Sequence, residues 1–170
     1  MDAASADHPV RVLIKEKVDA ARRAYNARDF PEACNSMISI AHEANTLAER
    51  EAPWTEFKSG DREKAAQTCV ILLEATRIIA TGLSPVVPNL ARSVYLSLGY
   101  TEEIADNLKW EYTEWGMINK GMTFPQPKPL FQKLESPEEK AAAAAVAATA
   151  GKAAGAQQPK KEKKEKAAAQ

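Results

Sequence analysis

Apolar residues recur at intervals of three and four in three stretches of this chain, and prolines, Pro53 and Pro85, close the second and third. The first stretch runs Val10, Ile14, Val18, Ala21, Tyr25, and the second runs Phe30, Ala33, Met37, Ile40, Ala44, Leu47. The third carries Ala65, Cys69, Leu72, Thr76, Ile79, Ala80 and Leu83, and it is the most apolar. Such spacing lines each set along one face of an α-helix, whereas a strand needs strict alternation. The pattern predicts an all-α antiparallel helix bundle with the third helix at its centre.

The punctuation sets the limits of these helices. Pro9 opens the first, which runs to about Asn26, while Asp29 reads as the N-cap of the second and Pro31 lies in its first turn. Pro53 ends the second helix, and Ser59-Gly60-Asp61 supplies the stop and cap before the third. Ser84-Pro85-Val86-Val87-Pro88 breaks the third helix, because each proline removes a donor and restricts the residue before it. A fourth helix spans about Asn89 to Leu98 and closes at Gly99, with a turn or two more before Leu108. From Lys109 to Lys133, Pro125, Pro127 and Pro129 with Gly116 and Gly121 predict an extended strap. Its Trp110, Trp115, Phe124, Leu130 and Phe131 require it to lie on the bundle. Beyond Pro137 the chain turns to Ala, Lys, Gln and Glu, a composition with helix propensity and no apolar face to dock. The expected organisation is a flexible leader over 1–8, a helical domain over 9–135 and a disordered low-complexity tail over 136–170.

At 170 residues the chain has room for one core and a tail, which argues against a complete multi-domain catalyst. Its 23 basic and 23 acidic residues balance, yet the tail from Ser136 holds seven Lys and four Glu, leaving the helical part net negative. Any nucleic-acid contact of the bundle must then come from a local patch. The Lys160–Lys166 run can meet phosphates non-specifically or act as a solubilising linker, since Glu162 and Glu165 interrupt it. Cys34 and Cys69 show neither disulfide nor zinc spacing and read as reduced, buried thiols. No uninterrupted run of about 18 apolar residues suits a bilayer, and the N-terminus lacks the features of a secretory or organellar leader. No membrane partner is expected.

His42-Glu43 begins like a zinc-protease helix, but position 46 is Thr where the second ligand would stand, so no metal site is expected. Glycines are isolated at predicted helix ends, and no acid, base and nucleophile combine into a catalytic constellation. The sharpest feature is Ala52-Pro53-Trp54-Thr55-Glu56-Phe57-Lys58. A tryptophan just after a helix-ending proline, with a lysine four residues on, offers an indole face for an unpaired base and an ammonium for its phosphate. The same tryptophan can instead cap the core.

These residues resemble the anticodon-binding domain of methionyl-tRNA synthetases. The resemblance rests on Ala44-Asn45-Thr46-Leu47, Ala52-Pro53-Trp54 with Lys58, Leu83-Ser84-Pro85-Val86-Val87-Pro88-Asn89 and Leu98-Gly99-Tyr100. It continues through Trp115-Gly116, Lys120-Gly121 and Pro129-Leu130-Phe131-Gln132-Lys133-Leu134-Glu135. The stretch from Trp110 to Gly116 and the Ser84–Asn89 break are most similar to the cyanobacterial and plant-organellar branch. The resemblance implies recognition of the CAU anticodon loop of tRNA(Met), with Trp54 stacking on the anticodon and Lys58 close to it. It implies no cofactor in this chain: ATP and methionine belong to a Rossmann domain whose H-I-G-H and K-M-S-K-S signatures are absent from these residues. The family's Asn and Arg contacts on a preceding helix also have no match, and Asn26 with Arg22 or Arg23 does not replace them. The chain is then expected to be either the C-terminal part of such an enzyme or a free-standing module that binds tRNA or docks on a protein such as a synthetase catalytic domain. The missing preceding helix is expected to leave an apolar groove on the first three helices, and a large, exposed groove would mark the chain as incomplete or obligately complexed. The branch resembled implies a plastid or mitochondrion; Met1 as the true start would imply the cytoplasm.

Overall fold

The computed structural model describes residues 8–118, 121–126, 129 and 130, all within the first of two compact units, residues 1–130. The described residues form six α-helices and a short 3-10 helix, with no strand. The helices are α1 (Pro9–Asn26), α2 (Phe30–Glu51), α3 (Pro53–Ser59), α4 (Arg62–Leu83), α5 (Pro88–Ser97) and α6 (Glu102–Asp106); the 3-10 helix is Trp110–Thr113. The expected all-α class holds. The leader before His8, the Lys120 side of the Lys120-Gly121 turn, Pro127, Phe131 and the Lys-rich tail lie outside the described residues.

Caps fall where short polar side chains stand. Asp29 Oδ1 accepts from the Glu32 N–H at 3.1 Å and Asp61 Oδ1 from the Lys64 N–H at 3.1 Å, each satisfying a donor that a helix start leaves orphaned. Only Ala27–Asp29 separate α1 from α2, so the two pack as an antiparallel hairpin. Val10, Ile14, Val18 and Ala21 of α1 meet Met37, Ile40 and Leu47 of α2 and Ile71, Ala75 and Ile78 of α4 in one core. Each fully buried aliphatic chain there contributes roughly 1.5–3 kcal/mol of burial. A second core of Ala80, Ala91, Val94, Tyr95, Leu98 and Ala105 joins the C-terminal half of α4 to α5 and α6.

Helix α4 is central, as its composition predicts: it packs against α1, α2, α3, α5 and the 3-10 helix. By length and apolar composition it matches a membrane span, but half of its apolar stretch is buried in the bundle. Its buried seam differs from the expected stripe. Ala65, Thr68, Ile71, Ala75, Ile78 and Gly82 line one side and Glu74, Arg77 and Thr81 another, while Cys69 faces solvent. A helix covered on several sides buries more than one stripe, so the apolar spacing of its sequence does not single out the seam. Cys34 is half-buried and Cys69 exposed, which corrects the expectation of two buried thiols. In α2, Ser36 is buried rather than off the seam, and Phe30 is exposed at its start.

The strap also departs in part. Trp110 and Trp115 pack on the first core as required, with Trp110 edge-on to Tyr25 at 5.9 Å, but the chain forms a 3-10 helix at Trp110–Thr113 before it extends. Phe124 and Leu130 stay exposed.

Candidate nucleic-acid interface

The segment around Trp54 is shaped by one residue that serves two helices. Ala52 is the C-cap of α2 and the N-cap of α3, in the left-handed region at φ +38°. Its N–H donates to the Ala48 carbonyl while its own carbonyl accepts from Thr55 and Glu56, so the direction changes within a single residue. Pro53 follows at the first position of α3, where a missing N–H costs nothing. The sequence reading makes Pro53 a stop, and it is also a start.

Pro53 is the residue of α3 that is buried, which leaves Trp54 outside. Trp54 is 56% exposed, so the alternative in which it caps the core does not hold. Lys58, four residues on, shares its side of the helix and is exposed. Lys58 forms no ion pair among the described residues, whereas neighbouring Lys64 is held by Glu56 at 2.6 Å and its ammonium pKa is raised by that bond. Trp54 and Lys58 are therefore brought together on an open surface at one end of the bundle, at the junction of α2, α3 and α4.

Sequence reasoning passed over Phe57, which is 58% exposed one turn from Trp54, with the Arg62 guanidinium 5.3 Å from its ring centroid. Its aromatic identity between Trp54 and Lys58 was the available signal. Asn26, Arg22 and Arg23 lie at the C-terminal end of α1. His42 is an exposed residue of α2.

A different concavity of about 240 Å³ lies between α2, α4 and α5, lined by Ala41, Ile79, Leu83, Val87, Leu90 and Val94 among others. Two of its walls, α2 and α4, are the second and third of the helices predicted from the sequence, and α5 supplies the other. The lining offers almost nothing to hydrogen-bond a base.

The family model for the anticodon binding domain of methionyl tRNA ligase matches residues 2–151. The chain belongs to that family. It is 37% identical over 134 residues to the chloroplastic/mitochondrial methionine--tRNA ligase of Arabidopsis thaliana, an alignment covering 78% of this chain and 22% of the relative. Methionine--tRNA ligases of the cyanobacteria Thermosynechococcus vestitus and Synechocystis sp. are 29% and 28% identical, covering 77% and 79% of this chain and 26% and 27% of their own lengths. This anticodon-binding domain thus spans about a quarter of the curated relatives it matches. The frame of the described residues places Trp54 exposed just after the Ala52-Pro53 corner, with Trp110 and Trp115 of the strap packed on the first core.

Proposed function

We propose that this domain binds the anticodon loop of a methionine tRNA, with Trp54 stacking on an unpaired anticodon base and Lys58 facing the phosphate beside it. The observation that carries the reading is the exposed Trp54 beside the Lys58 ammonium, which has no ion pair among the described residues, in a chain of this family. A buried tryptophan would already have its stacking partners; an exposed one on a rigid helix offers a free face at little ordering cost.

In this reading the domain contributes affinity and anticodon choice to methionyl-tRNA formation. The ATP-dependent ligation belongs to a catalytic domain outside these residues, and no cofactor is assigned to this chain. The similarity to an organellar plant ligase and to cyanobacterial ones supports work in a plastid or mitochondrion.

The test is titration of a methionine-tRNA anticodon stem-loop with the wild-type chain and with Trp54→Ala at matched salt. Weaker binding by the variant with an unchanged circular-dichroism spectrum supports the reading, and equal affinities sink it. The apolar cleft between α2, α4 and α5 fits the rival reading, a protein-docking module without tRNA binding. A wild-type chain that fails to hold the stem-loop would favour that rival.

A further inference from the structure

We infer that Phe57 and Arg62 form a second base position beside Trp54, holding the unpaired nucleotide next to the one that Trp54 stacks; the inference rests on the reading of Trp54 given above. Phe57 follows Trp54 by three residues, which puts the two on neighbouring positions of one helix side with Cβ atoms roughly 5–6 Å apart. Both residues are more than half exposed. Single exposed apolar side chains are ordinary on a protein surface, but two large rings one turn apart, flanked by cations, make a patch.

The core does not require either ring, since Pro53 is what α3 buries. Arg62 is brought over Phe57 by the turn between the helices: Gly60 takes φ +99° to stop α3, and Asp61 caps α4 so that Arg62 is its first residue. The guanidinium then lies 5.3 Å from the Phe57 centroid, a cation–π distance. That contact holds an otherwise mobile side chain against the ring and keeps its charge at the edge of the patch.

Charge selects the occupant. Glu56 is taken by Lys64 and Asp61 by the N–H it caps, while neither Lys58 nor Arg62 forms an ion pair among the described residues. Two aromatic faces with two unanswered cations suit a single strand, whose bases carry π-faces and whose linkages carry negative charge. Two side chains rooted roughly 5–6 Å apart stand farther apart than the 3.4 Å step of a stacked strand, so the two bases sit splayed, as they do when proteins read unpaired loops. Stacking tolerates any base, so Phe57 adds affinity and leaves the choice of base to other contacts.

The experiment measures binding of fluorescent methionine-tRNA anticodon stem-loops to the full chain: wild type, Trp54→Ala, Phe57→Ala, Phe57→Leu and Arg62→Gln. Each is titrated on the intact loop and on loops made abasic on either side of the nucleotide that Trp54 stacks, and circular dichroism checks the fold. Phe57→Ala is expected to weaken binding about fivefold or more, and Phe57→Leu, which keeps apolar bulk without the ring, nearly as much. The Phe57→Ala penalty should vanish on one of the two abasic loops. Arg62→Gln should lower the salt slope by about 0.7, the share of one phosphate on a single strand.

Loss of affinity in Trp54→Ala with none in Phe57→Ala overturns the second position alone, as does a Phe57 penalty that persists on both abasic loops. Full affinity in Phe57→Leu with loss in Phe57→Ala also overturns it, since bulk rather than the ring would then matter. Unchanged affinity in Trp54→Ala, or no binding by the wild type, removes the underlying reading and this inference with it.

Discussion

The Arg77 guanidinium meets the Glu74 carboxylate at 2.6 Å, one turn apart on α4, with both side chains excluded from solvent. Arg77 also donates to the Tyr112 and Glu114 carbonyls, and Glu74 accepts from the Ile118 N–H. The pair is thus a clamp: α4 supplies both charges, and the 3-10 helix and the segment after it supply further hydrogen-bond partners.

A buried ion pair gains little over a well-packed apolar replacement, but breaking it strands a charge. Glu74→Ala is expected to cost about 3–5 kcal/mol of stability, read by urea unfolding. It should also weaken the near-ultraviolet circular dichroism of Trp110 and Trp115, because the segment carrying them loses its attachment. Replacing both partners, Glu74→Leu with Arg77→Met, should cost less than the two single changes together; strict additivity would show that the charges do not act as a pair.

Gly82 decides how closely α4 approaches α2. A Cβ there would stand 2.1 Å from Met37 Sδ, and Met37 is fully buried. Glycine inside a helix costs roughly 0.5–1 kcal/mol relative to alanine, so open space would make Gly82→Ala stabilising. Overpacking typically costs about 1–3 kcal/mol, which outweighs that gain. Gly82→Ala should therefore lower the unfolding midpoint, and Met37→Val in the same chain should recover part of the loss. A rise in the midpoint for Gly82→Ala alone would show that Met37 moves aside freely.

Much of this frame was legible in the sequence. The stripes of α1 and α2 and the caps Asp29, Gly60 and Asp61 stand where spacing and side-chain chemistry put them. What escaped was set by tertiary contact. The buried pair of Glu74 and Arg77 was not singled out, because its partners, backbone groups near residues 112–118, are distant in sequence. The shift from Leu72 and Ile79 to Ile71 and Ile78 escaped because both sets are apolar at helical spacing. At the candidate interface the sequence offered Trp54 and Lys58 but left the environment of the ring open; burial of Pro53 in its place resolved that. The Phe57–Arg62 pairing depends on a turn that no local pattern specifies.

Tyr100 gives the domain a pH dependence in the alkaline range. Its hydroxyl donates to the Met117 carbonyl at 2.8 Å, and burial raises its pKa from the ordinary 10.0 to about 12. Between these values the folded state keeps a proton that the unfolded state has released, so the contribution of Tyr100 is complete below pH 10 and is lost as pH rises toward 12. Thermal melts from pH 9 to 12 should show a steeper decline for wild type than for Tyr100→Phe. Parallel curves would show that the hydroxyl titrates alike in both states.

Trp54 separates binding from stability, since an exposed ring on a seven-residue helix can leave without opening a cavity. Trp54→Ala is expected to change unfolding free energy by no more than about 0.5 kcal/mol while weakening the anticodon stem-loop by about 1–3 kcal/mol. Lys58→Gln should act differently: its effect belongs to the phosphate, so it should be clear at low salt, fade at high salt and depend little on which base is present. Titrations at several salt concentrations distinguish the two, because stacking survives screening and the ammonium contact does not. If Trp54→Ala lowers stability as much as it lowers affinity, the ring belongs to the fold, and the open face of α3 must be assigned another purpose.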